Sequence, residues 1–392
     1  MLAWMPKSPS PVPSSPSAPL PSARDKLLFT PGPLTTSLTV KQAMLRDLGS
    51  RDEAFLSAVR EVRERLLGAY GLSQARGWEA IPLQGSGTYA VEAAISSVVP
   101  RGGKLLALVN GAYGERVVRM AAVHGIACEV LRTGEDTPID PSAVRAALTR
   151  DPALTHVSLV HVETSSGVLN PLAAIGEIVR AAGRTFFVDA MSSFGALSIE
   201  FEAAGVDFLA ASANKCLEGI PGLAFVIARR SALEGIEGQA RALVLDVFAQ
   251  WRGLEKDGQF RFTPPTHALL ALRQALIELE LEGGVAARGA RYRANHERLR
   301  GGMEALGFRS YVQREHASPI ISTFLYPRHP RFDFPDFYRR LSARGFLIYP
   351  GKLTRADCFR VGNIGQLFPR DMDALLAAVP LVLREMGLEL TE

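Results

Sequence analysis

The chain has 392 residues, 47% hydrophobic and 21% charged, with a formal net charge of +4, which is the balance of an ordinary globular protein and excludes a fibrous or wholly disordered one. No run of Lys and Arg is long enough to form a basic stripe, and no apolar run is long enough to span a bilayer, so neither nucleic acid nor membrane is expected as a partner. Three widely separated cysteines, Cys128, Cys216 and Cys358, give neither a disulfide framework nor a zinc spacing and fit a reducing, cytoplasmic setting.

Residues 1–25 are dominated by Pro, Ser and Ala and lack the apolar stretch of a signal peptide, so a disordered tail is expected there. Val40 to Leu48 reads as a helix, and Glu53 to Tyr70 as a strong amphipathic one, with Phe55, Val59, Val62, Leu66 and Leu67 near helical spacing. Strands and helices then alternate. Strands are expected at 80–83, 104–109, 127–131, 156–162, 185–188, 208–211 and 223–228, with helices at 88–99, 113–125, 141–150 and 172–182 between them. This pattern predicts an α/β domain built on a large, mostly parallel seven-stranded sheet with helices on both faces. Two long helices follow, at 267–282 and 285–306. The remainder (strand 320–325, helix 336–344, strands 346–349 and 358–361, helix 370–386) reads as a smaller C-terminal α+β domain. The expected division is a large domain over 26–280, its opening residues packing on the small one, and a small domain over 281–392.

In such sheets ligands sit beyond the carboxyl ends of the strands, and several chemistry-bearing residues fall there. Gln84-Gly85-Ser86-Gly87-Thr88 joins a strand to a helix. Glycines let backbone approach an anion, and a helix start offers free N–H groups. No Gly-Lys-Ser/Thr follows and the third glycine of the dinucleotide fingerprint is missing, so a small phosphate is the anion that remains. Tyr113, in Asn110-Gly111-Ala112-Tyr113-Gly114, can stack on a planar ring. His156, His161 and Glu163 could suggest a metal, but the two histidines differ by an odd number and face opposite sides of a strand, so a structural reading is preferred and no metal is expected. Thr164 is placed to reach a cofactor ring substituent. The strand 185–188 runs into Asp189, and 26 residues on (215 − 189) Lys215 follows the next strand within Ser212-Ala213-Asn214-Lys215-Cys216. An aspartate and a lysine at neighbouring strand ends are what pyridoxal phosphate chemistry needs: the lysine for a Schiff base with the aldehyde, the aspartate to pair with the protonated pyridine nitrogen. Arg360, between apolar strand residues, offers a rigid fork for a carboxylate or phosphonate, or else a buried ion pair.

Taken together, these segments, with Thr30-Pro31-Gly32-Pro33, Val188-Asp189-Ala190-Met191-Ser192-Ser193-Phe194-Gly195, Arg261-Phe262-Thr263 and Phe359-Arg360-Val361-Gly362-Asn363, resemble the class V branch of the fold-type-I pyridoxal phosphate aminotransferases, from about Leu27 to near the C-terminus. The resemblance implies Lys215 and Asp189 as the catalytic pair. It implies cofactor binding by Ser86, Gly87, Thr88, Tyr113, Thr164, Met191 and Ser212, and by Thr263 from a neighbouring subunit, hence a homodimer with shared sites. Arg360 would hold the substrate anion. The implied activity moves the amino group of 2-aminoethylphosphonate to pyruvate, in phosphonate catabolism. The alternative is serine or alanine with glyoxylate or pyruvate in the same class. A cysteine desulfurase fits poorly, because Cys216 abuts the lysine and Cys358 lies in an expected strand. A cofactor-binding regulator fits poorly too, because the N-terminal residues are too few and too Pro-rich for a DNA-binding module.

Overall fold

The computed structural model describes residues 26–388; the expected tail at 1–25 lies outside them. In chain order the strands are β1 (Leu27–Leu28), β2 (Trp78–Gln84), β3 (Lys104–Val109), β4 (Ala127–Arg132), β5 (Leu154–Val160), β6 (Val162–Glu163), β7 (Val168–Leu169), β8 (Thr185–Asp189), β9 (Phe208–Ser212), β10 (Leu223–Arg229), β11 (Ile321–Leu325), β12 (Phe346–Leu347), β13 (Tyr349–Pro350) and β14 (Cys358–Gly362). The α-helices are α1 (Leu38–Gln42), α2 (Glu53–Gly68), α3 (Gly87–Val98), α4 (Ala112–Val123), α5 (Pro141–Arg150), α6 (Leu172–Ala181), α7 (Arg230–Glu234), α8 (Val247–Asp257), α9 (Thr266–Glu282), α10 (Gly284–Ala305), α11 (Phe334–Ala343) and α12 (Pro369–Glu385).

Seven strands form the main sheet in the order β2-β10-β9-β8-β5-β3-β4. Strand β10 runs antiparallel to both its neighbours, β2 and β9, while the remaining pairs are parallel. Two reversals restore direction, so β2 points the same way as β9. The carboxyl ends of β2, β3, β5, β8 and β9 therefore share one edge, and the residues just beyond them are brought together there. The central strands are buried along nearly their whole length, as a sheet covered on both faces requires. One continuous core runs from Phe55 on α2 to Leu279 on α9. A second joins Phe29 to Leu299, Phe308, Phe324, Phe359, Val379 and their neighbours, around the three-stranded sheet β11-β14-β13. Strand β1 pairs in parallel with β12, so the first of the described strands lies against the C-terminal part.

Several expectations needed correction, among them the single strand expected at 346–349, which divides into β12, paired with β1, and β13, paired with β14. Helix α1 ends at Gln42 rather than Leu48, because its apolar face is short: Val40 is its buried residue, and Leu45 is 82% exposed. The run expected to be one strand at 156–162 stops at Val160. His161 leaves the ladder, and Val162–Glu163 makes a separate two-residue pairing with β7. Helix α8 was not foreseen. Asp246 caps it by accepting from the Ala249 N–H, Gly258 ends it in a left-handed conformation, and it buries Val247, Trp251 and Leu254.

Helix α6 packs so closely on the segment before β9 that a Cβ at Gly176 would collide with the Ala204 backbone. Overpacking against backbone has no side chain to move aside. Gly176→Ala should therefore lower unfolding stability by about 1–3 kcal/mol, read as an earlier denaturation midpoint; an unchanged midpoint would contradict this packing.

Candidate active site

The turn after β2 and the first residues of α3 form one wall of the site. Gly85 has φ +114°, a region that side-chain-bearing residues avoid, and a Cβ at Gly87 would collide with the Met191 side chain. Ser86 occupies the N-cap of α3, yet its side chain makes no capping hydrogen bond, so the helix start presents its N–H groups outward. Facing this wall, Asp189 ends β8, 5% exposed, and its Oδ1 accepts from the Met191 N–H at 3.0 Å. Burial pushes its carboxyl up to about 6, against the opposing pull of the Met191 N–H and the Lys215 charge. Ser212 ends β9, and Lys215 stands in the turn beyond, its Nζ donating to the Pro31 carbonyl at 2.6 Å. Burial draws the Lys215 ammonium down to about 8. Gly32, with φ +111°, packs on this lysine so closely that a Cβ would reach its side chain and the Asn214 carbonyl.

Ser86, Gly87, Asp189, Met191, Ser212 and Lys215, with Thr88, Tyr113, Arg116 and Thr164, line one cavity. The Thr164 and Ser192 hydroxyls are hydrogen-bonded at 2.7 Å. The small sheet supplies the remaining charge. Arg360 on β14 donates from Nη1 to the Thr164 carbonyl (3.0 Å) and from Nε to the Pro350 carbonyl (3.1 Å). The Thr164 bond ties the three-stranded sheet to the turn after β6, and the Pro350 bond lies within that sheet. Of the expected site residues, two do not line this cavity: Thr263 is exposed, and Arg360 lies buried beside the cavity, tied to the Thr164 carbonyl.

Comparison with known proteins places this geometry. The family profile described as Aminotransferase class-V matches residues 37–344. A Klebsiella pneumoniae protein named 2-aminoethylphosphonate–pyruvate transaminase is 48% identical over 360 residues, covering 91% of this chain and 98% of that protein. A Syntrophobacter fumaroxidans protein of the same name is 48% identical over 362 residues, covering 92% and 97%. Among solved structures, an alanine–glyoxylate aminotransferase from Nostoc sp. superposes with a TM-score of 0.86 at 29% identity, covering 94% of this chain and 98% of that one. The chain belongs to the class-V aminotransferases. Its cofactor is pyridoxal phosphate.

The cavity of this class-V aminotransferase fits that cofactor in charge and shape. The uncapped start of α3 suits a phosphate. A buried carboxylate 5% exposed, on the strand next to the one leading to the lysine, suits a protonated ring nitrogen. Tyr113 and Met191 provide apolar surface for a flat ring.

Sequence reasoning missed four contributors. Arg116, one helical turn after Tyr113, donates to Thr88 Oγ1 at 2.9 Å. Glu163, weighed as a metal ligand, instead accepts from Ser165 Oγ and from the N–H groups of Tyr113 and Gly114 at 3.2 Å each, and so steadies the start of α4. Lys352 reaches the Tyr113 ring, its Nζ 4.4 Å from the centroid. Glu218 is 1% exposed in a left-handed conformation (φ 63°). Its N–H donates to the Lys215 carbonyl, and its carboxylate accepts from Arg291 (2.7 Å), Tyr292 (2.5 Å) and Gln366 (2.6 Å). An arginine one turn along a helix was a usable signal for Arg116. Nothing local marked the other three.

The unfolded chain keeps the Lys215 proton up to an ordinary lysine value of 10.5, whereas the folded chain releases it near 8. Between those values the unfolded state binds more protons, so this group's destabilising effect is full below pH 8 and fades as pH rises to 10.5. Capture of pyridoxal phosphate by the apoprotein, trapped with borohydride, should accelerate as pH rises through about 8, and Lys215→Ala should abolish it. A rise centred near 10.5 would show an unperturbed lysine.

Proposed function

We propose that the protein transfers the amino group of 2-aminoethylphosphonate to pyruvate, releasing phosphonoacetaldehyde and L-alanine. The near-full-length likeness to transaminases of that name carries the reading, and the cation on β14, bonded to the carbonyl of the cavity-lining Thr164, agrees with it. Pyridoxal phosphate, when bound, supplies an aldehyde for exchange with the substrate amine and a ring that takes up electrons as the adjacent C–H bond loses its proton.

The chain's own residues do the rest. Lys215, drawn down toward neutrality, is a nucleophilic amine near pH 8, and once released it carries the proton away from the amino-bearing carbon of the substrate. Asp189, ionised above about 6, holds a proton at the pyridine nitrogen. Ser86, Gly87 and Thr88 would hold the phosphate, Tyr113 and Met191 would offer apolar surface to the ring, and Thr164 and Ser212 would hydrogen-bond it. Arg360 anchors the substrate anion, phosphonate in one half-reaction and carboxylate in the other, with a water or a rotamer change covering the extra carbon. The donor has no carboxylate on its reacting carbon, so loss of carbon dioxide does not compete.

The active unit in this reading is a homodimer in the cytoplasm, with Thr263 reaching the neighbouring phosphate. Exposed Tyr89, Val244 and Phe262 line a second concavity on the far side of the Gly85–Gly87 turn, next to Thr263, and a second copy would cover it. Three free cysteines suit the compartment, and no helix among the described residues is long and apolar enough to cross a membrane. The chain divides into a cofactor domain over 26–280 and a smaller domain over 281–392, with the two cores as the physical basis.

The deciding experiment mixes holoenzyme with 2-aminoethylphosphonate in the absence of pyruvate. Stoichiometric aldehyde, with L-alanine reacting in parallel and L-serine inert, is the expected result. Reaction of serine but not the phosphonate would move the function to serine–glyoxylate transfer. Arg360→Ala should lower kcat/KM about 10²–10³-fold in both half-reactions, the effect of removing one partner of a desolvated charge pair; loss in one alone would end the shared-anchor reading. Sedimentation should show a dimer, and Thr263→Ala should weaken cofactor retention without dissociating it.

A further inference from the structure

Three of the four buried arginines among the described residues, Arg63, Arg288 and Arg300, are paired with carboxylates, and Arg360 is not. Arg63 meets Glu79 at 2.9 Å, Arg288 meets Glu282 at 2.5 Å, and Arg291 meets Glu218 at 2.7 Å. At the cavity the rule fails. Arg116, Lys352 and Arg360 form no ion pair among the described residues, and Lys352 donates no hydrogen bond there either. Its Nζ lies 4.4 Å from the centroid of the Tyr113 ring, and the Arg116 guanidinium carbon lies 4.8 Å from the same point. Burial lowers the Lys352 ammonium, and the charges of Arg116 and Arg360 lower it further; the carboxylate that opposes them is Glu163. Burial pushes that group toward its neutral form, and its oxygens are taken up by Ser165 and by backbone N–H groups. Three mutually repelling cations held together with no ion-paired carboxylate among the described residues are costly unless an anion completes them.

The anions available divide the cations between them. Arg116 is tied to Thr88 on the phosphate wall and goes with the cofactor's phosphate. Arg360 and Lys352 remain for the substrate. Lys352 sits in the loop joining β13 to β14, eight positions before Arg360 (360 − 352), and that loop is closed by the Gly351 N–H donating to the Cys358 carbonyl at 2.9 Å. A carboxylate carries one negative charge and is matched by Arg360 alone. A phosphonate near neutral pH carries close to two, and a third oxygen.

We infer that Lys352 is the second cation of a phosphonate-recognising pair, engaging the doubly charged acid of the amino donor together with Arg360 and contributing little to the binding of alanine or pyruvate. This rests on the proposed amino donor, and it makes Lys352 a specificity-determining residue: the tetrahedral dianion is favoured by an ammonium that a planar monoanion does not need.

The test compares wild-type holoenzyme with Lys352→Met and Lys352→Arg in separate half-reactions, and measures binding of unreactive ethylphosphonate by calorimetry. Lys352→Met should raise the half-saturating concentration of 2-aminoethylphosphonate about 10–100-fold, the range for a hydrogen bond to a charged group, with the limiting rate changed far less. The L-alanine half-reaction should change by under about 3-fold on the same scale. Lys352→Arg should recover most of the loss, and ethylphosphonate affinity should follow the same order. Equal loss in both half-reactions would assign Lys352 to supporting Tyr113 and overturn the inference, as would unchanged phosphonate affinity in Lys352→Met. Wild-type enzyme inert to the aminophosphonate but active on alanine would refute the donor assignment itself, before any variant is measured.

Discussion

Everything at the site depends on how the turn carrying Lys215 is held. The turn is fastened by a buried carboxylate three residues on. Glu218 adopts a left-handed backbone (φ 63°), a conformation that costs a side-chain-bearing residue about 1–2 kcal/mol. Its carboxylate is bound by Arg291, Tyr292 and Gln366, and through them to the segment 363–367 that follows β14: the Tyr292 hydroxyl accepts from the Gly365 N–H, and Arg291 donates to the Gly365 and Leu367 carbonyls. A strained turn persists when surrounding structure over-determines it. Here the surrounding structure is the same C-terminal part that carries Arg360. Lysine and arginine, 145 positions apart (360 − 215), are thereby fixed in one frame.

The second constraint is electrostatic. The main sheet buries its strand ends, so any charge placed there is desolvated, and the two central titratable groups respond in opposite directions: Asp189 rises to about 6 and Lys215 falls to about 8. Between those values the aspartate is ionised, while the lysine is close enough to neutrality to lose its proton readily. That is the protonation state amino transfer asks of both. In the proposed reading, the surrounding excess of positive charge serves a different need, the holding of two acidic groups on cofactor and substrate. Because Arg116, Lys352 and Arg360 form no ion pair among the described residues, an arriving anion displaces no salt bridge.

Much of the fold and a good part of the site were legible in the sequence. Short β-branched strands alternating with amphipathic helices are local patterns, and the strands at Lys104–Val109 and the helix at Pro141–Arg150 lie at the residues expected. Asp189 and Lys215 could be singled out because each follows an apolar strand directly, and the Gly85-Ser86-Gly87 turn because glycine requirements are written locally. Helix α8 escaped notice because its apolar residues are few and its identity rests on a capping aspartate and packing on β2. Glu218 and Lys352 escaped because their meaning lies in partners tens to more than a hundred positions away, and Glu163, weighed as a metal ligand, holds the start of α4 some fifty positions back.

The sequence by itself determined the class of the chain, the order of its strands and helices, and the identity of the groups placed at strand ends, since periodicity, turn chemistry and residue type are properties of short segments. Tertiary structure alone decided that β10 runs antiparallel, so that β2 delivers its glycine turn to the same edge as β8 and β9. It also decided which charges form ion pairs and which do not, because an ion pair depends on distances between segments that the chain order does not contain.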